Sequence, residues 1–181
     1  LTGANTYSGG TAIEAGTLQV GAGGTAGSLS SSGTIVNHGS LVYNLSSNPT
    51  VSSTITGSGS LTQAGTGTLT LSGINSFTGG VTVGNGVNGD VTIINSTLAN
   101  NAATGTGGNP GMGGCGGALY MDGRDEKASL CGVKITNNTA GAIGGGVFRV
   151  SNDHTGSFAM DRTFVDGNAV TPTDSGNAGC L

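Results

Sequence analysis

Asp122, Asp125 and Glu126 stand together in MDGRDEKA, residues 121–128, where the charges of the chain are densest. Carboxylate oxygens grouped in this way are what a hard cation such as Ca²⁺ requires. Arg124 and Lys127 are interleaved with them, however, and the spacing of the known calcium loops is missing. The expected reading is therefore a solvated turn with local ion pairs. Glycoside hydrolysis would need two or three carboxylates converging on one face from neighbouring strands. Asp122, Asp161 and Asp166 form the candidate set, and a lyase-type reaction would nominate Arg149 or Arg162 as base. Nothing beside them separates them from ordinary surface charges. Asp153-His154 lacks a nucleophile motif such as G-x-S-x-G and reads as a loop. The expectation is no catalytic residue, no cofactor and no metal.

Three further residue sets carry possible chemistry. Cys115, Cys131 and Cys180 fit no Cys/His zinc spacing, so one disulfide with a leftover thiol is expected, with three pairings open. Thr54-Ile-Thr56 and Thr66-Gly-Thr68-Leu-Thr70 place threonines at alternate positions, the pattern of an ice-binding face. Thr also favours any outward strand face, and these rows do not recur regularly. Asn44-Leu-Ser46, Asn95-Ser-Thr97 and Asn137-Asn-Thr139 match the N-glycosylation acceptor, as chance allows in a chain this rich in Asn, Ser and Thr.

Charge divides the chain and removes several function classes. Of 181 residues only 8% are charged, and the net charge is -4. Glu14 is the one charged side chain before Asp90, so the chain reads as a near-neutral part, 1–89, and a charged part, 90–181, that holds the cysteines. Nucleic acid needs clustered Lys and Arg, and an anionic membrane needs a polybasic patch; neither partner is expected. No apolar run reaches the ~20 residues of a membrane-spanning helix. The chain opens inside a repeated phrase and reads as part of something longer.

The elements that must hold these residues are short strands. TLQV (17–20), GTIV (33–36), SLVY (40–43), VSSTIT (51–56), GSLTQ (59–63), GTLTLS (67–72) and GVTV (80–83) alternate apolar and polar residues between Gly, Asn and Ser. That period of two predicts half-buried strands, and sustained helical spacing is absent. A phrase also recurs: LTGANTYSGGTAI at 1–13 returns as LSGINSFTGGVTV at 71–83. Asn75 answers Asn5 and Phe77 answers Tyr7, so all four are expected to serve as repeat corners and core or lip residues. Later, Leu98-x-x-Asn101, Ile135-x-x-Asn138 and Val165-x-x-Asn168 repeat, as do Gly116-Gly117-Ala118-Leu119 and Gly145-Gly146-Val147-Phe148. Asn tolerates left-handed turns, and stacked Asn amides can bond one another as a ladder. With 38 glycines and 4% aromatics, the chain suits a thin core filled by stacking small residues from coil to coil. The expected fold is all-β: one continuous single-stranded right-handed parallel β-helix over 1–181.

Residues 1–83 resemble the autotransporter-associated β-helix repeat, most fully in LTGANTYSGGTAIEAGTLQV (1–20) and again over 65–83. Residues 90–170 resemble the right-handed β-helix repeats of polymorphic outer membrane proteins through GGAL; GGGV and the LxxN, IxxN and VxxN phrases depart from that pattern. The resemblance implies an extracellular or outer-surface passenger stalk, adhesin or fibre subunit, with no catalytic residues to carry over. At ~4.8 Å per coil, such a rod is short and has open ends, so end-to-end self-association or continuation into further repeats is expected. A host surface or glycan would meet the loops of residues 103–117 and 121–129.

Overall fold

The computed structural model describes residues 1–84, 89–105, 114–151 and 153–171. Its elements are strands throughout, with no helix among the described residues. In chain order they begin with β1 (Thr11–Ile13) and β2 (Thr17–Val20), then β3 (Ile35–Asn37), β4 (Ser40–Tyr43) and β5 (Thr50–Val51). Next come β6 (Ile55–Gly57), β7 (Ser60–Gln63) and β8 (Thr68–Leu71), then β9 (Ser76–Phe77), β10 (Val81–Gly84) and β11 (Asp90–Ile94). A fourth strand joins the coil with β12 (Thr97–Ala99), β13 (Ala102–Ala103), β14 (Leu119–Gly123) and β15 (Lys127–Cys131). The same order returns in β16 (Lys134–Thr136), β17 (Thr139–Ala140), β18 (Val147–Ser151) and β19 (Ser157–Asp161), and β20 (Phe164–Asp166) and β21 (Ala169–Val170) follow.

Strands of successive coils stack in four sheets, not every coil reaching each of them, and every pairing is parallel. The first sheet runs β1-β3-β6-β9-β12-β16-β20, the second β2-β4-β7-β10-β14-β18, the third β5-β8-β11-β15-β19, and the fourth β13-β17-β21. This is a parallel β-helix. Ile35 pairs with Ile55 and Leu41 with Leu61, a coil of 20 residues; Lys127 pairs with Ser157, a coil of 30. The alternation read from the sequence decides which side chains enter. Leu41, Leu61, Val81 and Leu119 form one inward column, each at most 2% exposed. Burying side chains of this size stabilises by ~1.5–3 kcal/mol each, so a core one residue wide suffices.

One expected strand is divided by a corner. VSSTIT (51–56) is split between β5 on the third sheet and β6 on the first, with Ser53 buried at the bend. The Asn75 side chain closes that corner from the next coil, its Oδ1 accepting the Ile55 N–H at 2.9 Å. At the next bend, Gly57 has φ +108, and a Cβ there would lie 2.1 Å from the Asn37 carbonyl oxygen. Only Gly meets both demands.

The two copies of the repeated phrase do not occupy equivalent places. Ala12 pairs with Val36, Val36 with Thr56, and Thr56 with Ser76. By sequence Ala12 answers Thr82, so the register has slipped by six residues, and the TAI of the first copy lies in the first sheet while the VTV of the second lies in the second. The corner asparagines still act alike. Asn5 reaches the next coil through Nδ2 to the Ser28 carbonyl at 2.6 Å, and Asn75 does so through Nδ2 to Ser96 Oγ at 3.0 Å. The aromatics part company. Phe77 pairs with Leu98 and Gly57 on its two sides and is 1% exposed; Tyr7 is 37% exposed and bonds Thr11 through its hydroxyl. Leu1 is exposed as well. Among the described residues β1 pairs with β3 alone, and neither Leu1 nor Tyr7 enters the core.

Candidate functional site: the charged corner and the asparagine ladder

The densest charge lies at the corner between β14 and β15. Asp125 turns the chain with φ +55, and the alternation of β15 then continues backwards through it: Leu130, Ala128 and Glu126 all point inward. Glu126 is 4% exposed, and its Oε1 has no hydrogen-bond partner. Gly123 makes room for it, since a Cβ there would meet Oε1 at 1.7 Å. The coil below supplies Asp90, whose Oδ1 accepts the Lys127 N–H at 2.9 Å. Asp122 accepts the Tyr120 hydroxyl at 2.9 Å, and the Tyr120 ring stacks on Phe148 of the coil above with centroids 5.6 Å apart. That upper coil lays the turn 153–156 over the corner. Thr155 Oγ1 accepts the Asp125 N–H at 2.9 Å, and the Glu126 carbonyl accepts the Ser157 N–H at 3.1 Å. Hydrogen bonds from Thr155 hold the Asp153 carboxyl below its usual range.

Burial first, and then the charges of Asp122, Asp90 and Asp153, push the Glu126 carboxyl up to about 7, against the opposing pull of Arg149. The folded chain therefore holds a proton that the unfolded chain releases, and this contribution to stability is lost as pH rises from about 4.5 through about 7. Exposed Asp125 and Lys127 flank the corner, so solvent screening keeps the effect to about 1–3 kcal/mol. Glu126→Gln is expected to be more stable than the parent at pH 8 and to flatten this slope in urea melts between pH 5 and 8. An unchanged slope overturns the assignment.

The carboxylates nominated for catalysis are not brought together. Asp122 lies in the second sheet, Asp161 ends β19 in the third, and Asp166 ends β20 in the first. The three thus stand on three different sheets. Asp161 pairs with Arg162 at 3.1 Å, both well exposed, and Arg149 donates through Nη2 to the Thr155 carbonyl at 3.0 Å. Asp153 and His154 lie in an exposed turn, His154 with φ +63. The calcium candidates also diverge. Asp125 is exposed while its neighbour Glu126 is buried, and the described residues contain no group of three or more His, Cys, Asp or Glu placed to hold a metal.

The cysteines occupy different settings. Cys115 is buried and bridges to Ile143, whereas Cys131 is half-buried, donates to Asp161 Oδ2 at 3.5 Å and accepts from Arg162 at 3.3 Å. These two are not joined to each other, and Cys180 lies outside the described residues. Cys131 ends a strand of the third sheet and Cys115 precedes a strand of the second, which accounts for their separation. Thr54 sits at a corner, Thr56 on the first sheet, and Thr68 and Thr70 on the third, so the threonines form no common two-row face. Of the glycosylation motifs, Asn95 and Asn137 are exposed at left-handed corners and Asn44 is half-buried. The expected loop 121–129 is largely strand, with a turn at 124–126, and residues 106–113 of the loop 103–117 lie outside the described residues.

The asparagines of the LxxN, IxxN and VxxN phrases stack in line. Asn101 takes the Gly80 N–H on Oδ1 at 2.6 Å; its own N–H and Nδ2 donate to Asn138 Oδ1 at 2.9 and 2.6 Å. Asn138 in turn donates through N–H and Nδ2 to Asn168 Oδ1 at 3.0 and 2.7 Å, and through Nδ2 to the Leu98 carbonyl at 3.0 Å. Asn168 Nδ2 closes the column on the Ile135 carbonyl at 2.8 Å. The left-handed residue at each corner is the one before: Asn100, Asn137 and Gly167, at φ +58, +55 and +62. The ladder asparagine is thus the amide rail, and its predecessor is the turn. Sequence reasoning missed Glu126 as an inward group, although the period of two through Leu130 and Ala128 carried that signal.

Compared with curated proteins and with solved structures, the chain finds no match. Two stretches, residues 1–20 and 61–87, match the family model described as passenger-associated-transport-repeat, and the chain thus carries a repeat consistent with the β-helix of autotransporter passengers.

Proposed function

We propose that the chain is part of an exported passenger, secreted or displayed at the outer surface of a cell, where its coils form a stiff, non-catalytic stalk, adhesin or fibre segment that stacks end to end with further coils or copies. The passenger repeat at residues 1–20 and 61–87 supports the location. The observation that carries the stacking is the exposure of apolar side chains on β19 and β20. Met160 pairs with Leu130 and Val165 with Ile135; the two lower residues are at most 1% exposed, while Met160 and Val165 are 53% and 50% exposed. In register below them lie buried apolar residues, Leu130, Ile93, Leu71 and Val51 under Met160 and Ile135, Leu98 and Phe77 under Val165, beside strand edges that offer backbone groups for pairing. The later coils, with their GGAL phrase, extend the same stalk. A glycan or host surface would be met by its exposed corners.

Light scattering over a concentration series tests the association. The parent chain is expected to form oligomers that grow in line under electron microscopy, and Met160→Lys with Val165→Lys is expected to stay monomeric with unchanged β-sheet circular dichroism. A parent that remains monomeric at high concentration sinks the stacking.

A further inference from the structure

The third sheet stops at β5, and the reason is a gap in the ladder. Ser28 of the coil below bonds the other way, its N–H donating to the Gly3 carbonyl at 3.1 Å. Above, the Pro49 and Val51 carbonyls accept the N–H groups of Thr70 and Ser72 at 2.9 and 3.0 Å. Successive residues of a parallel strand bond to opposite sides, so Thr50 and Ser52 turn their backbone groups toward the gap. Residues 27–31 and 49–53 line a cavity there of about 60 Å³, several times the ~10–15 Å³ that one water needs by the same measure.

Its walls combine two kinds of surface. Leu29, Ile35 and Val51 are apolar. Tyr43 and Ser53, 2% and 6% exposed, also line it, and neither Tyr43 Oη nor Ser53 Oγ has a hydrogen-bond partner. Burial pushes the Tyr43 phenol up, which keeps it an O–H donor. Among the described residues no charged side chain lines the cavity. Buried hydroxyls are normally satisfied, so two without a protein partner at one cavity call for a bound molecule there, water or ligand.

We infer that the gap between these coils is a binding slot for one neutral hydroxyl-bearing group, the hydroxymethyl of a polyol or of a sugar. Its C–H atoms would lie against Leu29, Ile35 and Val51, and its hydroxyl would serve Tyr43 Oη as acceptor and Ser53 Oγ as donor or acceptor. A charged ligand is disfavoured because no opposite charge is within the walls to offset its desolvation. The slot does not depend on the stalk reading.

The test is a titration of the whole chain with glycerol in one arm and a methyl glucoside in the other, followed by amide NMR. Saturable shifts are expected at Leu29, Ser30 and Thr50–Ser53, with the tighter arm naming the source. Tyr43→Phe with Ser53→Ala is expected to weaken binding roughly thirtyfold, the loss of two net hydrogen bonds. Unchanged amide shifts along the Asn101–Asn168 ladder confirm that the variant folds, and Ser53→Ala alone serves if it does not. No saturable shift in either arm, equal shifts in the variant, or a soaked crystal with water alone in the gap would overturn the slot.

Discussion

Asn138→Ala is expected to cost about 3–5 kcal/mol, read as a lower urea midpoint at unchanged slope. Asn138 is wholly buried and works as both acceptor and donor in the amide rail. Truncation leaves the Asn101 N–H and the Asn101 side-chain amide without their partner, and takes one bond from the Leu98 carbonyl, in a place where water cannot replace them. Each orphaned buried group costs ~1–3 kcal/mol, and the polarised chain of amides weakens along its length. Asn168→Ala, at the half-buried end of the same column, is expected to cost about half as much, because solvent reaches what it vacates. Equal losses at the two positions would mean that the amides act separately, not as a rail.

Phe77→Ala is expected to cost about 3–5 kcal/mol and Tyr7→Ala less than about 1 kcal/mol, by the same measurement. The two aromatics hold matching places in the repeated phrase. Phe77 is packed between coils, so its removal leaves a cavity that a stiff ladder cannot close. Tyr7 lies on the outside of the first coil and gives up little beyond its bond to Thr11. Matched costs would show that the register of the first coil follows the phrase after all.

Much of the site was readable in advance, and the failures have particular causes. The LxxN phrases announced the column of Asn101, Asn138 and Asn168, because spacing along the chain becomes stacking across it. They did not say that Asn100, Asn137 and Gly167 would take the left-handed turn, since both residues of an Asn-Asn pair suit it. The carboxylates were misgrouped for a different reason. Asp122, Asp161 and Asp166 are alike in chemistry, but sequence does not mark the corner that sends each strand to another face. VSSTIT hid such a corner inside an unbroken alternation, closed by Asn75 from a coil 20 residues away.

By itself the sequence determined that strands form, that they are short, and which of their side chains enter, because alternation acts between neighbours a few residues apart. Tertiary structure decided the register: which face each strand joins, that Tyr7 and Phe77 part despite sharing a phrase, and that Glu126 is buried among carboxylates. Those outcomes depend on what the coils above and below offer to each residue. Backbone ladders between coils can form at many offsets, and only side-chain fit across 20 to 38 residues of chain selects one.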